Sequence, residues 1–370
     1  MKLAIITHVA HIPKGKTYFG YSAYVREMNI WGTFASELIV VAPVTYGETS
    51  KIHLEYTHKK IRLLKVPAVS LISIFQVIRS LLLLPILIFQ VWKAMRLADH
   101  IHLRCPGNMG LIGCWVQILF PKKPKTAKYA GNWDPNSRQP RSYRWQKWIL
   151  SNTFLTRNMK VLAYGEWPEQ SKNVKAFFTA SYPENKVEGV RDRLFSEPLK
   201  FMFVGSLSPG KRPLYALRLV AGLAQKGLRC QLAYFGDGAE RASLEQYIKD
   251  HSLEHLAMLH GNQTAAFVEE CYKNSHFLIL PSQSEGWPKV VAEAMFWGCV
   301  PIATEISCVP WMLDKGNRGI LIQMNLEQDI SMLSEKISEE RSLVEMSKNA
   351  QQWSQQYTLD KFEEEIQRFL

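Results

Sequence analysis

The sequence predicts an α/β protein with two domains, each built around a parallel sheet. The chain has 370 residues, which is more than one ordinary hydrophobic core supports. Short apolar runs, such as 2–7 and 199–204, alternate with helix-like segments in both halves. Such runs are typical of strands buried on both faces, and their alternation with helices favours two Rossmann-like units in tandem.

In the first half, six apolar runs predict strands and two longer segments predict helices. The strands are expected at 2–7, 37–42, 61–66, 99–104, 126–130 and 161–164, and the helices at 21–34 and 109–120. A polar loop at 8–20 follows the first strand, at the usual ligand-facing edge of an open α/β sheet. A charged linker at 188–198 leads into the second half, so we place the first domain at 1–195 and the second at 196–350.

The second half repeats this alternation. Strands are expected at 199–204, 230–235, 257–259, 277–280, 300–303 and 319–322, and 331–370 is mostly helical. No G-x-G-x-x-G follows any of these strands, which argues against a dinucleotide-dependent oxidoreductase. The cleft between the two domains is the default position for a site.

Charge is unevenly distributed along the chain. Residues 1–200 contain 29 Lys and Arg against 12 Asp and Glu, whereas the remainder contains 16 against 21. A basic first domain indicates an anionic partner, and both nucleic acid and an anionic membrane fit that description. The alternative is that the lysines are scattered over the surface and serve solubility. The six cysteines form no C-x-x-C pair and no secretory signal opens the chain, so we expect reduced cysteines and a cytoplasmic location.

The most apolar segment is 70–97, with an unbroken run of nine residues at 81–89. A helix needs roughly 20 apolar residues to cross a bilayer, so we do not expect a transmembrane span. Two interpretations stay open. The segment is either a crossover helix buried against the sheet, or a helix lying in the plane of a membrane beside Lys93 and Arg96.

A basic loop follows the strand at 199–204. It satisfies the G-x-x-x-x-G-K pattern from Gly205 to Lys211 but has Arg212 where a magnesium-binding phosphate loop needs Ser or Thr. An ATPase site is therefore not expected, and Lys211 and Arg212 are candidates to bind a diphosphate. Gly-Asp-Gly at 236–238 follows the next strand and adds a second loop at the same edge.

A third loop joins the strand at 277–280 to a helix. It runs through Gly286 and Pro288, and Pro288 suits the first helical position. The unpaired N–H groups at such a helix start attract anions and polar oxygens. Glu285 before the turn and Glu293 on the second helical turn bracket it, so this stretch suits a ligand with hydroxyls and a nearby phosphate.

Cations and aromatic rings alternate between residues 138 and 148. This pattern predicts either a surface for phosphate, sugar or single-stranded nucleic acid, or an amphipathic helix with Trp145 and Trp148 turned inward. The sequence favours neither interpretation over the other.

Residues 199–325 resemble the retaining GT-B glycosyltransferases of glycosyltransferase family 4. The features that carry the resemblance are the loop from Gly205 to Lys211, Gly-Asp-Gly at 236–238, and Glu285 with Glu293 in an E-x7-E motif between Leu-Pro-Ser and Gly298-x-x-Pro-Ile. The resemblance implies an α/β GT-B fold, with two Rossmann-like domains facing a central cleft. It also implies that a C-terminal helix at 351–370 crosses back to the N-terminal domain.

The resemblance further implies a nucleotide-sugar donor site. Glu293 would hold the ribose, Glu285 the hydroxyls of the transferred sugar, and Lys211 the diphosphate in place of a metal ion. With Glu285 and Lys211 as catalytic residues, the expected donor-binding set is Gly20, Ser206, Lys211, Arg212, Gly236, Asp237, Glu285, Gly286, Trp287, Val290 and Glu293. No metal and no cofactor are expected, and the co-substrate would be a UDP- or GDP-linked sugar.

On the acceptor side, the sequence departs from the family pattern. Relatives often carry His-x-His at the end of the fourth strand, and here the pair is His102 and Arg104. We therefore expect Arg104 to be a third catalytic residue that contacts phosphate or an acidic acceptor, with His102, Asp134 and Arg138 on the acceptor side. For His102 the alternative is a buried structural role, and for Asp134 a turn before Pro135.

The predicted function is that of a metal-independent hexosyltransferase in surface polysaccharide or glycoconjugate synthesis. It would move a sugar, with retention, from a nucleotide sugar to a saccharide or polyprenyl-linked saccharide. A peripheral contact through 70–97 would place it at the inner face of the cytoplasmic membrane, and no nucleic acid is expected as a partner. The alternatives are a GT-B-fold nucleotide-sugar epimerase or phosphorylase, and a module whose basic half binds membrane or nucleic acid.

Overall fold

The computed structural model describes residues 1–50, 52–69, 74–167, 170–190 and 192–370. The chain divides into two compact units. The first contains Met1–Phe177 and Glu363–Leu370, and the second contains Phe178–Phe362. Each unit is a parallel sheet with helices packed on it, so the predicted α/β class with two Rossmann-like domains is confirmed.

The strands of the first unit are β1 (Lys2–Ile6), β2 (Ile12–Lys14), β3 (Thr17–Tyr21), β4 (Glu37–Pro43), β5 (His53–Glu55), β6 (Ile61–Val66), β7 (His100–Cys105), β8 (Lys125–Tyr129), β9 (Met159–Tyr164) and β10 (Val174–Phe177). Its helices are α1 (Ser22–Thr33), α2 (Ile74–Leu97), α3 (Asn108–Val116) and α4 (Arg141–Ser151). The six strands predicted for this half correspond to β1, β4, β6, β7, β8 and β9.

Within the described ranges, seven of these strands form one parallel sheet in the order β10-β9-β8-β7-β1-β4-β6. The interior strand β1 pairs with β4 and β7, with Ala4 opposite both Ile39 and Ile101. The side chains of β1 from Leu3 onward are fully buried, which explains why this strand is continuously apolar. Right-handed connections place α2, α3 and α4 on the face of this sheet opposite α1.

Residues 8–20 were predicted to form a polar loop. That prediction is wrong in one respect, because the segment contains a β-hairpin. Strands β2 and β3 pair antiparallel, with Ile12 opposite Phe19, and β3 also pairs with β5. Gly15 at the tip has a φ of +60°, which suits glycine in a tight turn. The aromatic residues of β3 favour a strand, whereas the glycines and the proline around them favoured a loop.

Helix α2 is the crossover between β6 and β7. Its inner side is buried, with Leu87, Val91 and Met95 packed on the sheet. The strands before and after it belong to the same sheet, so α2 lies across that sheet. The prediction of a crossover helix buried against the sheet is therefore confirmed for the inner side of α2 only. Its other side is apolar and exposed.

Ile78–Leu97, within α2, is the one helical stretch in the described part of the chain that is long and apolar enough to cross a membrane by length and composition. Only 22% of it is buried. The sequence indicated a shorter apolar segment because Gln76 and Arg79 precede the run at 81–89 and Pro85 lies within it, but the helix continues through all three residues. Residues 70–73 of the predicted segment lie outside the described residues.

The strands of the second unit are β11 (Leu199–Val204), β12 (Cys230–Phe235), β13 (Ala257–Leu259), β14 (Phe277–Leu280), β15 (Val300–Thr304) and β16 (Ile320–Ile322). Its helices are α5 (Pro213–Gln225), α6 (Arg241–Asp250), α7 (Ala265–Asn274), α8 (Lys289–Phe296), α9 (Val309–Met312), α10 (Leu326–Ser338), α11 (Glu340–Ser354) and the first turn of α12 (Leu359–Phe369). The parallel order β13-β12-β11-β14-β15-β16 reverses direction between β11 and β14. Ligands of open α/β sheets bind at the carboxyl ends of the strands beside such a reversal.

The first unit ends after Phe177 and not at 195. The segment that follows packs on the second unit: Lys186 pairs with Glu269, Arg193 donates to the Ser275 carbonyl, and Phe195 joins the core. A linker was predicted here because the segment is charged. In the structure, its charged side chains instead bind residues of the second unit.

The end of the chain returns to the first unit at Glu363, later than the predicted position 351. Thr33 donates to the Glu363 carboxylate at 3.2 Å, and the Phe369 ring packs against Phe177 with centroids 5.9 Å apart. Residues 340–354 stay with the second unit because α11 packs against α8.

Candidate active site

Two glycine-containing loops lie side by side at the carboxyl ends of β11 and β12. The N–H of Gly205 donates to Phe235 O at 2.9 Å, and the N–H of Leu207 donates to Asp237 O at 3.0 Å. A Cβ on Gly236 would lie 1.9 Å from the carbonyl oxygen of Gly205. Only glycine permits this approach, so the loops that the sequence placed at one edge are joined by their backbones.

The loop after β14 is attached to the loop after β11. The Lys211 ammonium donates to the Glu285 carboxylate, and the N–H of Gln283 donates to Gly210 O at 2.9 Å. The side chains of Lys211 and Glu285 are 27% and 11% exposed, so the pair is accessible from one side. The structure thus brings the two predicted catalytic residues of this unit together beside the reversal in strand order.

Among the remaining polar residues of these loops, Ser206 and Asp237 have partners within the protein. Arg212 is half-buried and precedes α5 with a left-handed φ of +51°. The Ser206 hydroxyl lies 3.3 Å from that of Ser208. The Asp237 carboxylate accepts the N–H of Gly238 at 2.8 Å and lies 3.6 Å from the Arg241 guanidinium.

Helix α8 begins at Lys289. Pro288 therefore occupies the N-cap position and not the predicted first helical position. The N–H of Val290 lies in the first turn of α8, before the first intrahelical bond is possible, and the N–H of Val291 donates to Pro288 O at 3.0 Å. The loop before it is fixed through β15 and α9: Glu285 N–H donates to Ser307 Oγ at 3.3 Å, and Cys308 Sγ lies 3.0 Å from Gly286 O. Ser307 is a site residue that the sequence interpretation missed. Its position just after a strand was the available signal.

The Trp287 side chain does not face the loops. It is buried in an aromatic cluster with Trp311, Trp353 and Tyr357, whose ring centroids lie 5.9 to 6.2 Å from its own. Its indole therefore belongs to the core of the second unit. The backbone of Trp287 can still contact a nucleotide-sugar donor as predicted, but its side chain cannot.

Glu293 already accepts two hydrogen bonds within the protein. The Ser181 hydroxyl donates to Oε1 at 2.5 Å, and the Tyr272 hydroxyl donates to Oε2 at 3.3 Å. Burial raises the pKa of Tyr272 well above its ordinary value, and the Glu293 carboxylate raises it further, so the phenol stays protonated. No sequence pattern indicates Ser181, which lies 112 positions from Glu293. The Glu293 carboxylate still has free lone pairs that can accept hydrogen bonds from ribose hydroxyls.

In the first unit, Arg104 is part of a buried ion cluster. Its guanidinium donates to the Glu27 carboxylate at 2.7 Å, and Lys128 Nζ lies 3.0 Å from the same oxygen. Burial alone would raise the pKa of Glu27, but Arg104 and Lys128 outweigh it and lower that pKa to about 2. The Arg104 guanidinium thus has a carboxylate partner inside the protein, which it shares with Lys128, and this differs from the predicted contact with an acceptor.

The other predicted residues of this unit differ in their surroundings. His102 is fully buried, lies 2.9 Å from Thr126 Oγ1 through Nδ1 and packs on Trp31, which fits the structural alternative. Asp134 accepts the N–H of Asn136 at 2.8 Å and so forms the predicted turn. Arg138 is exposed, and Gly20 lies in β3, where a Cβ would come within 3.0 Å of Val25.

Trp145 and Trp148 are exposed on α4, so the interpretation that turned them inward is wrong. Among the residues that the structure describes, no three His, Cys, Asp or Glu side chains converge as metal ligands would.

Residues 190–353 match the family model described as glycosyl transferases group 1. The match covers less than half of the chain. The group 1 region contains Lys211, Glu285 and Glu293 with the loops that position them, whereas Arg104 lies outside it.

Curated relatives match part of the chain. The alpha-D-kanosaminyltransferase of Streptomyces kanamyceticus is 25% identical over 40% of this chain and 39% of its own length. The lipopolysaccharide 1,6-galactosyltransferase of Salmonella typhimurium is 30% identical over 34% of this chain and 35% of its own length. The chain thus spans well under half the length of these two relatives.

Solved structures resemble the whole chain. Alr3699/HepE of Anabaena, solved with UDP and glucose, aligns over 100% of this chain and 98% of its own, with a TM-score of 0.69 and 15% identity. WaaG, a glycosyltransferase involved in lipopolysaccharide biosynthesis, aligns over 98% of both chains, with a TM-score of 0.63 and 14% identity. At this identity the likeness shows the fold alone. That fold is GT-B, as the resemblance implied.

Proposed function

We propose that the protein is a retaining glycosyltransferase of family 4, which moves a sugar from a nucleotide sugar to a saccharide or polyprenyl-diphosphate-linked saccharide. One observation carries the proposal: Lys211 and Glu285 pair across two loops at the reversal in strand order, inside the group 1 glycosyl transferase region. Such a pair offers a cation for phosphate beside a carboxylate for hydroxyls, which are the two kinds of group that a nucleotide sugar presents.

The chemistry requires stabilisation of a departing nucleoside diphosphate. As the bond to the sugar breaks, negative charge develops on the diphosphate, and a fixed cation together with the start of a helix stabilises it. Lys211 has three N–H donors, so it can keep its contact with Glu285 and bind a phosphate oxygen as well. Arg212 and the first turn of α8 would add to the same field, which supports transfer without a metal ion.

For the donor, we assign Glu285 to the hydroxyls of the sugar and Glu293 to the ribose. Gly236 and Gly286 would contribute backbone contacts, and Ser181 and Tyr272 would orient Glu293. Uridine diphosphate is the first nucleotide to test because the Anabaena structure contains it. Because Arg104 is paired with Glu27, we now assign it to the architecture of the first unit and not to the reacting atoms.

For the acceptor, we propose a saccharide carried on an anionic lipid. The Salmonella galactosyltransferase and WaaG are both associated by name with lipopolysaccharide, and the first 200 residues of this chain are strongly basic. A contact of α2 with the inner face of the cytoplasmic membrane would bring the enzyme to such an acceptor.

The test is release of nucleotide from a panel of UDP- and GDP-sugars, with and without saccharide acceptors, for the full chain and its Lys211→Ala variant. We expect acceptor-dependent release, a product of retained anomeric configuration, no effect of a chelator, and a loss of about 10²–10³-fold in turnover for Lys211→Ala. Glu285→Gln should also reduce turnover.

The matched control is Lys226→Ala, which removes an exposed lysine just after α5 and should leave turnover unchanged. Release of nucleotide without any acceptor would favour an epimerase instead. If no nucleotide sugar is consumed and no nucleotide raises the melting temperature, the proposal fails.

A further inference from the structure

Helices α2, α3 and α4 form one layer on the first unit, with α3 packed against both of the others. The outer side of α2 is a stripe of large apolar residues: Ile78, Leu82, Ile86 and Phe89 recur at helical spacing, and Leu82 is 76% exposed. A contiguous apolar surface of this kind marks an interaction site in a water-soluble protein.

The other two helices of the layer carry exposed tryptophans. Trp145 and Trp148 on α4 are 60% and 58% exposed, and Trp115 on α3 is also exposed. Together with Arg141 and Arg144, these three rings line a groove of about 810 Å³. Tryptophan combines an apolar ring with an N–H donor, and arginine binds phosphate through two parallel N–H groups, so this composition suits the boundary between water and lipid.

Charge selects the kind of partner. Residues 56–165, which include this layer, contain 18 Lys and Arg but only two acidic residues, Asp99 and Asp134. Both acids are engaged: Asp99 accepts the N–H of Lys2, and Asp134 accepts the N–H of Asn136. The layer therefore carries almost no negative charge that would repel an anionic surface.

The apolar stripe decides between anionic partners. A nucleic acid would use the arginines and the tryptophans but would leave the leucines and isoleucines of α2 in water. A lipid bilayer uses both, because acyl chains cover the apolar residues and headgroup phosphates meet the cations. Since α2 also covers the sheet between β6 and β7, it lies along the membrane surface in this arrangement and does not cross it.

We propose that the outer surface of α2, α3 and α4 docks on an anionic phospholipid bilayer, with the groove between Trp115, Trp145 and Trp148 holding lipid phosphates on Arg141 and Arg144. This inference extends the contact from α2 to the whole layer. It rests on the proposed function for its purpose, which is to bring the enzyme to a lipid-linked acceptor.

The experiment is flotation of the full chain with vesicles, without nucleotide or acceptor. One set of vesicles is phosphatidylcholine, and the other is equal parts phosphatidylcholine and phosphatidylglycerol. We expect flotation with the mixed vesicles only, weakening as salt rises. Replacing Arg141 and Arg144 by Gln should weaken partition by about fivefold for each arginine, and replacing Trp145 and Trp148 by Ala should also weaken it.

Arg229→Gln, on the second unit, is the matched control and should float like the unmodified chain. Melting temperatures of the variants show whether they are folded, and transfer to a short water-soluble saccharide shows whether the enzyme still works. Transfer without flotation would overturn the docking surface and leave the proposed function intact. Flotation without transfer would overturn the proposed function and leave the docking surface intact.

Two other results would also overturn the docking surface. One is equal flotation with neutral vesicles for the chain and its arginine variants, which would mean that the arginines bind no lipid phosphate. The other is a concentration-dependent dimer, seen by sedimentation, that the tryptophan variants abolish, because a second copy would then be the partner of this surface.

Discussion

Both units contain ion pairs between a glutamate and basic residues, but the pairs serve different purposes. In the second unit, Lys211 and Glu285 lie on loops at the edge of the sheet and are accessible from one side. In the first unit, Glu27 on α1 holds Arg104 and Lys128 from β7 and β8, and Lys128 is fully buried. The Lys211 ammonium, on a loop and 27% exposed, can exchange partners with a ligand, whereas Lys128, enclosed between a helix and the sheet, cannot do so without opening the fold.

The difference predicts where each pair acts. Removing one partner of a buried pair leaves an uncompensated charge out of water, which costs folding free energy. Removing one partner of an accessible pair costs little stability because water replaces the lost contact. Variants of the Lys211 pair should therefore change activity, and variants of the Glu27 cluster should change stability.

The largest expected effect is on the buried cluster. Glu27→Gln leaves Arg104 and Lys128 without a carboxylate, and we expect the free energy of unfolding to fall by about 3–5 kcal/mol. Urea unfolding measures this change, and hydrogen exchange in β7 and β8 assigns it to the first unit. The control Glu37→Gln removes an accessible pair with Lys2 at 3.8 Å and should cost less than about 1 kcal/mol. Equal losses in the two variants would remove the distinction between the units.

The second prediction is a pH dependence of the same cluster. The folded-state pKa of Glu27 is about 2, below its ordinary value of 4.5, so its contribution is complete above pH 4.5 and is lost as the pH falls toward 2. The shift corresponds to about 3 kcal/mol. We expect the difference in unfolding free energy between the unmodified chain and Glu27→Gln to shrink across this window. A difference that is constant with pH would contradict the low pKa.

The sequence predicted most of the fold because parallel strands buried on both faces are continuously apolar. The runs at 199–204 and 277–280 needed no tertiary information. The hairpin β2–β3 was missed because its glycines and proline are loop signals, and its strands are stabilised by pairing with β5. The boundary near 195 was misplaced because charge marks a linker only if it faces water, and Arg193 instead donates to carbonyls of the second unit.

Within the candidate site, the sequence named the residues on the loops but not those that hold them. The motif at Glu285 to Glu293 is local, so its spacing was readable. Ser181 and Ser307 come from distant segments, and a single serine has no pattern to detect. Trp287 was assigned to the donor because it stands within the motif, yet its ring completes a cluster formed mainly by residues after 310.

The third prediction concerns the backbone that positions the accessible pair. In Gly236→Ala, the Cβ would lie 1.9 Å from Gly205 O at a φ of +145°, so the two loops must separate. Strain of this kind costs about 1–3 kcal/mol, and the loop that carries Lys211 would lose its support. We therefore expect a lower melting temperature and weaker nucleotide binding together. The control Gly189→Ala has open space around its Cβ and should leave both measurements unchanged. If Gly236→Ala lowers stability but not nucleotide binding, the loop backbones maintain the fold of the second unit and do not position its site. These loops would then have the same structural role as the Glu27 cluster of the first unit.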